Sequence, residues 1–63
     1  MIELYDEDNE LHTYGEKNEE GVWEIKGIHG VTYSSSNEVV ETLHELAQEA
    51  GFKSWTIKVI LYK

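Results

Sequence analysis

Sixty-three residues with thirteen acids, five lysines, no arginine and a net charge of −8 allow one small domain, residues 1–63, and exclude a basic nucleic-acid footprint. Without cysteine there is no disulfide framework and no thiolate site. A chain this short buries only about 60% of its unfolded surface, so its core is small.

Met1 to Tyr5 (MIELY) reads as a strand, with Ile2 and Leu4 on one face and Glu3 and Tyr5 on the other. Asp6-Glu7-Asp8-Asn9 is turn chemistry, because Asp and Asn side chains bond their own backbone and tolerate left-handed dihedrals. Glu10 to Tyr14 returns as a second strand and closes a hairpin. Gly15 to Gly21 reads as a polar loop bracketed by glycines. Val22 to Ile28 is a third strand, with Trp23 and Ile25 facing one way and Val22, Glu24 and Lys26 the other. Gly27 within it marks a bulge or a close backbone approach. His29-Gly30 reads as a turn, and Val31 to Tyr33 either as a short edge strand or as an extended lead-in.

The stretch from Ser34 to Phe52 (SSSNEVVETLHELAQEAGF) carries strong helix signals. Ser35 followed by Glu38 fits the capping box, and Gly51 sits where a left-handed C-terminal cap belongs. Val39, Leu43, Leu46, Ala47 and Ala50 recur at helical spacing. Every charge on this helix is negative. At 100° per residue, Glu38, Glu41, Glu45 and Glu49 fall within an arc of roughly 80°, opposite the apolar stripe. Glu41–Glu45 and Glu45–Glu49 are like-charge pairs four apart, each destabilising by roughly 0.2–0.5 kcal/mol. Lys53 to Lys63 is the last strand. Trp55, Ile57, Val59 and Leu61 form a wholly apolar face, and Thr56, Lys58, Ile60 and Tyr62 the other.

These elements predict an α+β domain: a small three- to five-stranded, mainly antiparallel sheet with one amphipathic helix on one face, in the order β-β-β-(β)-α-β. The last strand joins either by a right-handed crossover beside a parallel neighbour or as an antiparallel edge strand.

Residues 1–51 hold all thirteen acids and two lysines, a balance of −11; residues 52–63 hold three lysines and no acid, a balance of +3. Such a surface suits a basic partner or serves solubility. Consecutive loops of a meander lie at opposite ends, so Asp6, Glu7, Asp8 and Glu10 would sit at one end of the sheet and Glu16, Glu19 and Glu20 at the other.

Motifs of catalysis are missing. Asp6 to Glu10 departs from a calcium loop at its sixth and twelfth positions. His12, His29 and His44 lack paired-ligand spacing, and His44 falls on a helix flank. Ser34 to Ser36 lack a nucleophile elbow, and no glycine-rich phosphate loop is present. No enzyme activity, metal or cofactor is expected. Ile2 to Tyr5 lack the basic start and apolar core of a signal peptide, and Ile57 to Tyr62 is too short to span a bilayer. A cytoplasmic protein without membrane association is the expectation.

Two candidate surfaces remain. One is the acidic ridge of Glu38, Glu41, Glu45 and Glu49, assisted by Asp6, Glu7 and Asp8; the alternative reading is a solvated helix face. The other is the sheet face away from the helix, where Tyr5, Tyr14, Ile60 and Tyr62 would form a half-apolar patch open to a partner. The helix stripe and the DEDNE and GEKNEEG loops resemble, in composition, small acidic phage-encoded inhibitor proteins, some of which mimic DNA. That resemblance implies binding without catalysis: inhibition or sequestration of a host enzyme or defence protein with a basic or nucleic-acid-binding surface. The alternative is a structural or oligomerisation module, such as a homodimer, built on the tyrosine face or the C-terminal edge strand.

Overall fold

The computed structural model describes residues 1–61. Its elements follow in the order β1 (Ile2–Tyr5), β2 (Leu11–Lys17), β3 (Trp23–Ile25), α1 (Ser36–Glu49) and β4 (Thr56–Val59). The strands form one antiparallel sheet in the order β3-β2-β1-β4. Helix α1 lies over β1 and β3. The α+β architecture read from the sequence is the observed one. Tyr62 falls outside the described residues.

The core forms where the two periodicities meet. Ile2 and Leu4 alternate inward from β1, Ile25 points inward from β3, and Val39, Leu43 and Ala47 line the inner face of α1; all six are buried. Trp23, Tyr33, Phe52, Trp55 and Ile57 pack around them, half-buried.

Both hairpins are closed by the same turn. In the first, the Asn9 amide donates to the Asp6 carbonyl at 3.0 Å, and the Asp6 amide to the Glu10 carbonyl at 2.9 Å. The Asp6 carboxylate accepts the amides of Asp8 and Glu10, both at 2.9 Å. In the second, Asn18 takes the place of Asp6. Its carbonyl accepts the Gly21 amide, its amide donates to Val22, and its side-chain oxygen accepts from Glu20 and Val22. Asn9 and Gly21 hold the left-handed position, with φ of 63° and 85°. This is a type I turn followed by a left-handed residue, a frequent hairpin closure.

The span read as a loop from Gly15 to Gly21 is therefore a turn of only Asn18 to Val22, and Gly15, Glu16 and Lys17 belong to β2. Gly15 is in the strand for a packing reason. A Cβ built on it would lie 2.7 Å from Val39 Cγ1, so α1 crosses β2 where β2 has no side chain. Gly27 is neither a bulge nor a close approach. It lies in a turn closed by the Ile28 amide on the Ile25 carbonyl, with open space around it, and β3 stops at Ile25. The bulge is at His12 instead, since Leu4 pairs with Thr13 and Tyr5 with Leu11.

After β3 the chain runs back along that strand's outer edge, where Tyr33 and Trp23 exchange two hydrogen bonds of 2.9 Å. This single pairing makes Val31 to Tyr33 a lead-in, and it starts α1 at the end of the sheet where β3 began. The helix then delivers the chain to the opposite end, so β4 enters antiparallel to β1, as an edge strand and not by a parallel crossover. The Ser35 hydroxyl caps α1 by accepting the Glu38 amide. At the other end Gly51, with φ 80°, donates to Gln48 while Phe52 donates to Ala47, a Schellman closure.

Candidate functional site

The acidic ridge is a product of the cap, the core and the helical period. With Val39, Leu43 and Ala47 fixed inward, Glu41, Glu45 and Glu49 must face outward, and all three are exposed. The last turn of α1 holds no basic residue. Glu38 is also exposed, but its carboxylate is engaged. It accepts the Ser34 amide at 3.0 Å and the Ser34 hydroxyl at 3.1 Å. The expected capping box is thus displaced by one residue, with the Glu bonding Ser34 in place of Ser35. The free part of the stripe is Glu41–Glu45–Glu49.

Of the first-turn acids, Glu7 and Asp8 are exposed, whereas the Asp6 carboxylate is occupied with its own turn. The His12 and Phe52 rings meet edge-on at 5.0 Å, which places the helix C terminus beside the first-hairpin end of the sheet. Glu49, Glu7 and Asp8 therefore share one end of the molecule. Glu19 and Glu20 lie in the second turn, at the opposite end.

The open sheet face is more polar than the sequence suggested. Register places Tyr14, Glu3 and Lys58 in one row across β2, β1 and β4, and Glu16 opposite Glu24 in another. Tyr5 and Tyr14 are both on this face, as expected, but lysines cover them. The Lys58 ammonium lies 4.5 Å from the Tyr5 ring centre, and that of Lys26 lies 5.5 Å from Tyr14. Lys26 and Glu3 were not singled out from the sequence, although strict alternation in β1 and β4 places Glu3, Tyr5 and Lys58 on one side. Ile60 is exposed at the end of β4. Tyr62 lies outside the described residues. His44, on the helix flank as expected, accepts the Trp55 indole N–H on Nδ1 at 2.9 Å. Among the described residues no three His, Cys, Asp or Glu side chains converge as metal ligands would.

On the open face the Tyr5 proton is held by its neighbour. The Tyr5 hydroxyl donates to a Glu3 carboxylate oxygen at 2.9 Å. That bond first, then desolvation and the Glu3 charge, raise the Tyr5 pKa above its ordinary value. The folded chain holds this proton more tightly than the unfolded one. The resulting stabilisation is complete below the ordinary tyrosine range, near about 10, and is lost as pH rises through the folded value. In an alkaline absorbance titration Tyr5→Phe should remove a late-ionising phenol, and Glu3→Gln should shift that phenol earlier. An unchanged late phase in both variants would refute the assignment.

Comparison with protein-family models, curated proteins and solved structures finds no match to this chain.

Proposed function

We propose that the chain is a non-enzymatic binding protein that engages a basic partner protein through the outer face of α1 and thereby inhibits or sequesters it. The observation that carries this reading is the run of Glu41, Glu45 and Glu49 at four-residue spacing, exposed, with no compensating base in the last turn. Glu7 and Asp8 extend the negative field at the Glu49 end.

The run is costly where it stands. It holds two like-charge pairs, and Glu49 faces the negative end of the helix dipole. A charge pattern that opposes its own helix is explained by a partner that takes up the charge. The ridge rises about 6 Å between successive carboxylates. DNA carries one phosphate charge per roughly 1.7 Å of duplex axis. The finer form of the proposal is therefore a basic groove that tolerates a sparse polyanion, such as that of a nucleic-acid-binding enzyme.

Stability and binding should move in opposite directions. Glu45→Lys converts both like-charge pairs into attractive ones, worth about 1 kcal/mol in total. In a domain this small that raises the melting temperature by about 4–8 °C. The same change, and more so Glu41→Lys with Glu45→Lys, should abolish capture of basic proteins from a lysate of the source organism. Raised salt should do likewise. Binding that survives both the double reversal and high salt would end the ridge reading.

A further inference from the structure

We propose that β4 is a self-association edge: two copies join their β4 strands antiparallel about a two-fold axis at Val59, forming one continuous eight-stranded sheet. The backbone comes first. Ile60 and Met1 exchange both hydrogen bonds, at 2.8 and 3.1 Å. Bonded pairs alternate with outward-pointing ones in an antiparallel ladder, so Glu3–Lys58 and Tyr5–Thr56 are bonded pairs. Ile57 and Val59 then aim their N–H and C=O groups away from β1. No described strand pairs with that side. Unpaired edge groups of this kind are a template for another strand.

β4 is short, at four residues, but two other protections of an edge are absent from it. The chain has no proline, and the β1–β4 register runs without a bulge. The one charge within β4, Lys58, leans back over its own sheet onto Tyr5. Helix α1 lies over β1 and β3, so the apolar face of β4 is only half covered: Trp55 and Ile57 pack on the core, while Val59 and Leu61 do not. Val59, Ile60 and Leu61 are 58%, 40% and 85% exposed, three consecutive apolar residues at the free edge.

A second copy of this chain fits this edge in register and in the placement of its acidic bulk. An axis at Val59 sets Val59 against Val59 of the second copy, and Ile57 against its Leu61. Every outward-bonding pair is then apolar. Lys58 falls opposite Ile60 of the second copy, along which its aliphatic stem can lie. An axis one residue earlier would oppose two Lys58 ammonium groups, which is unfavourable. The edge also belongs to the segment of charge +3, while the remainder carries −11. This approach keeps the two acidic bodies apart, whereas other orientations bring them together.

The proposal does not depend on the acidic ridge and has the opposite salt response. Salt screens the repulsion between two chains of −8 and so tightens the dimer, while it weakens a ridge–base complex. Sedimentation over the micromolar to millimolar range tests it. Wild type should dimerise, more so in salt; Val59→Lys should lose the dimer with unchanged circular dichroism; Val31→Lys, at an exposed apolar site away from the edge, should keep it. Because the chain has no cysteine, Val59→Cys reports the register alone. A bonded antiparallel pair holds its Cα atoms about 5.5 Å apart, with the Cβ atoms at the far end of disulfide reach, while the Lys58 residues of the two copies are diagonal and further apart, so Val59→Cys should cross-link under oxidant more readily than Lys58→Cys. Should Val59→Lys unfold, Leu61→Lys takes its place. A wild type monomeric throughout, a folded Val59→Lys that still dimerises, or preferential cross-linking of Lys58→Cys overturns the proposal.

Discussion

Gly15→Ala should lower the stability of the domain by about 1–3 kcal/mol. The backbone alone argues for the opposite sign. Gly15 lies within β2 and is not among the residues with positive φ, so alanine can adopt its conformation without strain. Reduced freedom of the unfolded chain would then favour alanine by about 0.4–1 kcal/mol. The steric term outweighs it. The new Cβ would lie 2.7 Å from Val39 Cγ1, and Val39 is buried, β-branched and stiff at its first side-chain torsion. It is fully buried within the core, so the packing of α1 on β2 must give.

The contact can be isolated by removing the methyl that is in the way. Val39→Ala alone leaves a void and destabilises. In the double variant Gly15→Ala with Val39→Ala, the new methyl occupies space the valine has left. The two costs should therefore be strongly non-additive, with the double variant more stable than their sum predicts. Urea denaturation of the four chains measures this. A higher midpoint for Gly15→Ala, or simple additivity, would show that this close crossing does not set the height of the helix over the sheet.

That contact also shows where sequence reading stops. The helix was legible from Ser35, Glu38 and Gly51, because capping and period are local. The alternation of Ile2 and Leu4 was legible for the same reason. Gly15 was not: a strand glycine and a loop glycine look alike, and its reason for being there is Val39, on another element. The repeated turn was within reach. Asp6-Glu7-Asp8-Asn9 and Asn18-Glu19-Glu20-Gly21 share an Asx side chain three places before a residue that accepts positive φ. The glycine bracket of Gly15 and Gly21 concealed the second copy. The direction of β4 depended on Tyr33 pairing with Trp23, which no local pattern in residues 26–35 announces.

The candidate surfaces divide along the same line. Outward placement of Glu41, Glu45 and Glu49 follows from the helical period, and their positions are those the wheel assigns. The engagement of Glu38 by Ser34, and of Asp6 by its own turn, follows from side-chain geometry that spacing does not encode. Lys58 stacks on Tyr5 because the β1–β4 register places Thr56 opposite Tyr5 and Lys58 opposite Glu3. Strand register is a tertiary property, so the seating of Lys58 over Tyr5 and Lys26 over Tyr14 is not encoded by spacing alone.

Leu43→Ala is expected to bring the whole domain to the edge of unfolding. Leu43 is fully buried at the middle of α1, and a leucine-to-alanine change at such a site costs about 2–5 kcal/mol. At 0.05–0.15 kcal/mol per residue, a domain of 63 residues has about 3–9 kcal/mol in all. Among the described residues five other side chains are fully buried with Leu43, and the rest of the packing around it is half-exposed, so there is little to compensate. The helix cannot persist without the sheet. Fourteen residues are marginal for an isolated helix in water, and two like-charge pairs make this one worse. Thermal melts followed by circular dichroism should show a large fall in midpoint, with helix and sheet signals lost together. If helix signal outlasted the sheet, the acidic ridge would have intrinsic stability and its like-charge pairs would carry no cost. A partner that binds the ridge only in the folded state should raise the Leu43→Ala midpoint in proportion to its concentration. The same partner should not raise the midpoint of a chain that also carries Glu41→Lys and Glu45→Lys. That contrast separates loss of the scaffold from loss of the surface it presents.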